Sequence, residues 1–308
     1  MTAIIPGLNF LRTPNLRYAH PSGKVFGMGY RTLSTRNASK WAAMPVVGSL
    51  LQKMGARAPS GADNKTGTKP LFGSVFDQNQ VGSCTAESTC KASRITLVGK
   101  GQMPSGVSDF SQRIMYGQTR QIERAATQDA NLPEPMLQDS GCEPADCITS
   151  INELGVAPME APVGGYYNDV FAGNVNQEIV LSDEEKTWIE PGAHLVNLQS
   201  SSLVSEWQAA VNANLGSTLA LFVDTQNFMA YNGSSPIQKI DLSDPQGGGH
   251  QITGPVGWYT SSSLGLIWIF GNSWSETWGQ AGFGEITHTC LMTAIDASIV
   301  FDTSLEAA

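Results

Sequence analysis

Val75 to Glu87 reads VFDQNQVGSCTAE. A polar, turn-forming run with one glycine ends at Cys84. The residues that follow, CTAESTCKASRITLV, predict a helix over 84–98 that Gly99 and Gly101 close. Cys84 then sits at a helix N-terminus, where the positive end of the helix dipole favours thiolate over thiol. That makes it a candidate nucleophile. Gln78, six residues earlier on the loop, can turn its amide to the same spot and, with the Cys84 backbone N–H, form an oxyanion hole. Gln80 competes for that role.

A thiolate nucleophile needs a base to take and return a proton, and a third group to orient the base. Two later segments supply them. In QGGGHQITGPVGW, residues 246–258, His250 follows three glycines and opens a strand; the glycines read as a flexible approach, since no helix start or lysine follows to make a phosphate loop. In LGLIWIFGNSWSETWGQAGFGEI, residues 264–286, Asn272 follows an apolar strand and is followed by Trp274 and Trp278. Cys84, His250 and Asn272 lie 166 and 22 residues apart, so only folding can bring them together.

Around these blocks the chain changes texture. Further helices are predicted over 108–124, 145–154 and 203–214, and the acidic stretch 182–188 reads as a solvated helix start. Short apolar strands are predicted over 218–223, 251–259, 264–271 and 282–287. Helices first and strands after predict an α+β protein, a helical lobe facing a β lobe with a site between them.

Three blocks, DQNQVGSCTAES, GGGHQITGPVGW and WIFGNSWSETWGQAGFGEI, resemble the papain-like cysteine proteases, above all bacterial and viral members with a DQGQxGSCTA-type motif. A fourth, DSGCEPADCITSINELGVAP, is similar to the family's glycine-bearing groove edge. The resemblance spans about residues 70–300. It implies a helical lobe and a β-barrel-like lobe, Cys84 as nucleophile, His250 as base and acid, Asn272 as orienter of the imidazole and Gln78 as oxyanion donor. It further implies that Trp274 shields the His250–Asn272 bond, Trp278 packs over the cleft, Gly141 pairs with substrate backbone, and Gln251 faces the pocket for the substrate's second residue upstream of the cut. Cys142 stands where papain has a second glycine. Asn79 and Ser275 stand where the pattern has glycine, and Glu87 and Ser88 replace an apolar or small pair. The implied activity is a cysteine-type endopeptidase working through a thioester on Cys84. Two rivals stay open: an inactive papain-like module of a larger assembly, and an acyl transferase using the same thioester.

Composition bounds the partners. The chain has 308 residues, 18 Lys plus Arg against 27 Asp plus Glu, and a formal net charge of −9. Nucleic acid and anionic membranes need a basic surface, so a peptide or protein substrate is expected instead. The sequence lacks 18 consecutive apolar residues, and its first twenty residues lack a charged segment followed by an unbroken apolar run; neither a membrane span nor general export is expected. That predicts a reduced compartment, the cytoplasm or a virus-like particle, with no disulfide assumed among Cys84, Cys90, Cys142, Cys147 and Cys290; a Cys142–Cys147 bridge would need an oxidising setting. The cysteines lack CxxC spacing, so no metal and no cofactor is expected.

Residues 1–57 read as an arm, 58–70 as an exposed linker and 71–308 as the catalytic domain. Residues 40–54 carry enough apolar groups for a short helix broken near Pro45 and Gly48. The arm can dock in the cleft as an inhibitor, or on the outer surface or an assembly partner as an anchor. No inhibitory motif is legible, which favours anchoring.

Overall fold

The computed structural model describes residues 17–19, 25–31, 36–55, 62–126, 139, 141–160, 181–182 and 185–305. In the arm, β1 (Arg17–Ala19) and β2 (Val25–Gly27) pair antiparallel. Helices α1 (Ala38–Ala43) and α2 (Val47–Lys53) follow, separated at Pro45 as the pattern predicts. The helical lobe holds α3 (Cys84–Gly99), α4 (Gln112–Ala126) and α5 (Pro144–Leu154). Next come β3 (Ile189–Glu190), β4 (Ala193–Leu195), α6 (Leu203–Asn212), β5 (Gly216–Val223), β6 (Gly248–Ser261), β7 (Gly265–Gly271), β8 (Phe283–Thr287), α7 (His288–Ala294), β9 (Ile295–Phe301) and β10 (Ser304–Leu305). Six strands form one antiparallel sheet in the order β4-β9-β5-β6-β7-β8.

The central helix α3 joins the lobes. It buries 13 of its 16 residues, so it is enclosed on every side, between α4 and α5 and strands β5 and β6. Many of these buried residues are polar and need partners. Thr96 Oγ1 donates to the Phe301 carbonyl at 2.7 Å and accepts the Gly216 N–H at 2.9 Å, tying the helix to the start of β5. Lys91, 2% exposed, makes an ion pair with Asp109 and lies 3.5 Å from the ring centre of Phe76. Burial pushes the lysine pKa down and the aspartate pKa up, while each charge opposes the other's shift. Removing one partner leaves a buried charge uncompensated. Lys91→Met is therefore expected to cost about 3–5 kcal/mol of stability, read as a fall in denaturation midpoint, and the double change with Asp109→Leu less.

The β lobe core is aromatic: Trp207, Phe228, Trp258, Trp268, Phe270, Trp274 and Trp278 share one cluster. Helix α4 starts at Gln112 rather than 108, because Phe110 is held extended in a bridge to Pro158. The helix expected to 214 ends at Asn212, and Asn214 turns left-handed at φ 58°. For the acidic stretch, positions 183 and 184 lie outside the described residues, and Thr187 pairs with Val156. The glycines before His250 are no loose approach: Gly248 and Gly249 are in β6, paired with Val223 and Phe222.

The described part of the expected linker, 62–70, belongs to the body. The β6–β7 register shifts between Thr253 and Gly257, so the backbone there needs another partner. Asn64 exchanges backbone bonds with Trp258 at 2.9 and 3.0 Å, and Thr68 donates to the Val256 carbonyl at 2.8 Å. Residues 36–55 are part of the body too. Val47, Leu50 and Leu51 join the cluster of Trp207, and Trp41 packs with Ala145, Ile299 and Phe301.

Candidate active site

Cys84 is the first residue of α3 and is fully buried. Its neighbours come from three elements. Tyr30 of the arm and Ala220 of β5 pack against it, and the backbone N–H groups of Gln251 and Gly29 donate to the sulfur. Burial nevertheless pushes the thiol pKa up to about 12.

His250 lies one residue before Gln251 on β6, fully buried. Its Nε2 is 2.7 Å from Asn272 Oδ1. The same oxygen accepts the Ser273 backbone N–H at 2.8 Å, which fixes the amide's orientation. An oxygen can only accept, so Nε2 carries the hydrogen and Nδ1 is the basic nitrogen. Nδ1 has no hydrogen-bond partner among the described residues. Trp274 stacks on the imidazole, centroids 4.5 Å apart, and Phe228 meets it edge-on at 6.0 Å. This dry enclosure lowers the His250 pKa to about 4, with the Asn272 bond pulling it upward.

Gln78 is buried while Gln80 is exposed on the turn, so burial selects Gln78 for this neighbourhood. Its Nε2 donates to the Val81 carbonyl at 2.7 Å, and its Oε1 accepts from the Ser273 hydroxyl. Ser273 thus touches both halves of the site: its backbone N–H orients Asn272 and its hydroxyl orients Gln78. Sequence reasoning passed over it, although it adjoins Asn272. Gln78→Ala is expected to lower kcat about a hundredfold with KM little changed, as steady-state kinetics would show.

Residues 172–301 match the family described as papain family cysteine protease. That stretch is similar to the papain family. The matched stretch holds His250 and Asn272, and Cys84 lies ahead of it on the helical lobe. The fold is similar to that of xylellain, a cysteine protease from Xylella fastidiosa (20% identity, TM-score 0.57, 91% of this chain and 96% of that one). It is similar also to procathepsin B S9 from Trypanosoma congolense (16%, 0.59, 91% and 87%). A third likeness is to Amb a 11, a ragweed pollen allergen cysteine protease in its proform (15%, 0.52, 82% and 68%). Comparison with curated protein sequences found no relative. The papain-like two-lobe fold and the cysteine-peptidase function expected from the sequence blocks both hold.

Two positions that depart from the papain pattern keep its backbone. Asn79 and Ser275, which replace glycines, have φ of 50° and 64°, the left-handed region that glycine enters freely. The structure places other expected site residues differently. Trp278 does not reach the cleft: it is fully buried, bonded through Nε1 to the Met229 carbonyl and packed on Phe228 and Phe270. Neighbouring strand residues face opposite ways, so Gln251 turns from His250 toward an interior space lined by Phe76, Glu87 and Lys91. Cys142 and Cys147 are free thiols, sulfurs 3.7 Å apart. Among the described residues no cluster of three His, Cys, Asp or Glu could hold a metal ion.

The groove edge is occupied by the chain's own arm. The Cys142 N–H donates to the Gly29 carbonyl at 2.9 Å, and the Arg31 N–H donates to the Cys142 carbonyl at 3.2 Å. On the other wall, the Tyr30 N–H donates to the Gly249 carbonyl at 3.3 Å. Residues 29–31 are thereby hydrogen-bonded to both lobes across Cys84. The approach is close: a Cβ on Gly29 would lie 1.7 Å from the Gly82 carbonyl oxygen, and one on Gly141 2.2 Å from that of Gly29. Beyond the cleft, Arg31 pairs with Glu123 and Arg36 with Asp146, and Asn37 donates to Glu143 and Asp146 at 3.0 Å each. The arm therefore reaches the cleft as well as the body of the protein. Its tip lies in the cleft, and its root is packed into the body through Trp41, Val47, Leu50 and Leu51, so the expectation of anchoring alone is corrected.

Proposed function

We propose that the chain is an endopeptidase that cleaves peptide bonds through a thioester on Cys84, and that its arm holds it inactive until the tip leaves the cleft. The observation that supports this reading most is the bare Nδ1 of His250, its tautomer set by Asn272. With the cleft open, water re-enters and both pKa shifts relax. Nδ1 then takes the Cys84 proton, giving a thiolate at the positive end of α3 beside an imidazolium. The thiolate attacks the substrate carbonyl, and Gln78 with the Cys84 N–H receives the developing oxyanion. The imidazolium returns its proton to the leaving amine, and water then hydrolyses the thioester.

The covered sulfur explains the need for release: every residue of the cleft tip, Met28 to Tyr30, is itself buried. The test is labelling by an epoxide or vinyl-sulfone thiol probe, read by intact mass. One label on the wild-type chain and none on Cys84→Ala is expected. Equal labelling of the variant would place the nucleophile elsewhere.

A further inference from the structure

The tip at Gly29 is flanked by two glycines: Gly82, two residues before Cys84, and Gly141, one before Cys142. A single carboxylate ties the two together. Asp139 Oδ1 accepts the Gly82 N–H at 2.8 Å and the Tyr116 hydroxyl at 2.9 Å. The Tyr116 oxygen in turn accepts the Gly141 N–H at 3.1 Å. Arg120 holds the other side of that glycine, donating to its carbonyl at 2.7 Å. The direction of the chain is fixed, because Tyr116 is wholly buried and burial, then the Asp139 charge, keep its hydroxyl protonated. A charged acceptor at the end makes these bonds about twice as strong as neutral ones. None of them goes to the sulfur or to the imidazole.

We infer that Asp139 is a positioning residue: it sets the distance between the loop that carries Cys84 and the groove edge at Cys142, and so places the carbonyl of a bound peptide over the sulfur. The groove edge offers backbone groups, the Cys142 N–H and carbonyl, which the tip uses in the covered form. The nucleophile and Gln78 stand on the other loop. A carbonyl held by one segment must meet a sulfur carried by the other, and a misplacement of about 1 Å costs about a hundredfold in rate. Glycines bring no side chain to wedge either segment in place, so the hydrogen-bond chain through Asp139 does it. This rests on the proposed peptidase reading, with the arm's tip standing where the substrate would lie.

The test uses the full chain carrying Gly29→Val, whose side chain cannot fit against Gly82 and so frees the cleft. Each variant on that background meets two reagents. A fluorogenic peptide needs the groove edge, whereas iodoacetamide alkylates the Cys84 thiolate without it. Asp139→Ala is expected to lower kcat for the peptide about a hundredfold and to leave the alkylation rate within about threefold. Asp139→Asn should recover about tenfold of that loss, since the amide oxygen still accepts both hydrogens. Tyr116→Phe removes only the hydroxyl and keeps the test decisive if Asp139→Ala does not fold. It should lower turnover with the same selectivity, and adding it to Asp139→Ala should cost little more, because both act through one chain. A merely structural role would slow both reagents together. Equal losses with both, peptide turnover within about twofold of the parent in either Asp139→Ala or Tyr116→Phe, or an Asp139→Asn as poor as Asp139→Ala, overturns the inference while leaving the peptidase reading intact. No turnover of any peptide by the parent, together with no label on Cys84, overturns the peptidase reading itself.

Discussion

Cys84→Ala and His250→Ala are each expected to lower kcat/KM by about four orders of magnitude or more, and the double variant by scarcely more than either alone. The non-additivity follows from their working as one unit. Without His250 the thiol has no nearby base. In the open cleft an unassisted thiol near its ordinary pKa of about 8.5 is only a few per cent thiolate at neutral pH, and no imidazolium stands by to protonate the leaving amine. Without Cys84 the imidazole has nothing to activate but water. Single-turnover measurements with a fluorogenic peptide on Gly29→Val backgrounds would check both. Additive losses would mean that the two residues serve separate steps.

Acid is expected to open the cleft. In the covered form His250 titrates near 4 against an ordinary 6.5, so between those values the covered form binds fewer protons at this site than the open one. The depressed pKa contributes to closure above pH 6.5, and that contribution fades as the pH falls toward 4. The open fraction should rise on the order of a hundredfold across the window. One group opposes this. Asp296 accepts the Tyr30 hydroxyl at 2.5 Å, and partial desolvation raises its pKa against the pull of that bond, so its protonation favours closure as pH falls. Asp296→Asn should therefore steepen the acid response. Probe-labelling rates at Cys84 from pH 7 to 4.5 would measure it, with Gly29→Val as the form open throughout. A flat profile in the full chain would mean that the imidazole does not govern closure.

The chemistry was legible because it is written in short segments. A turn-rich loop running into a helix fixed Cys84, and glycine-bounded apolar runs marked β5 to β8. What depends on contacts between distant segments was not legible. The strand Ile295–Phe301 has no alternation that sets it apart, yet it lies between β4 and β5 in the sheet. Residues 62–70 look like linker by composition, and only the register shift in β6 gives their backbone a place to pair. Trp278 is a large aromatic near Asn272, and sequence proximity cannot tell a cleft wall from a core residue. The arm's tip offered the least signal. Gly29, Tyr30 and Arg31 fit the cleft because three carbonyl and amide groups align across two lobes, a match with no sequence signature.

The root of the arm has a further consequence. Trp41, Val47, Leu50 and Leu51 are built into the hydrophobic interior, so the tip can leave the cleft while the root stays in place. Closure is then a unimolecular event, governed by the effective concentration that attachment to the same chain imposes rather than by the protein concentration. Dilution cannot relieve it, and a free peptide copying residues 28–31, lacking the tether, would be a far weaker inhibitor than the same residues in the chain. On the proposed reading, the degree of closure is thus expected to be the same at nanomolar and millimolar protein, which probe-labelling rates at Cys84 over a dilution series would check.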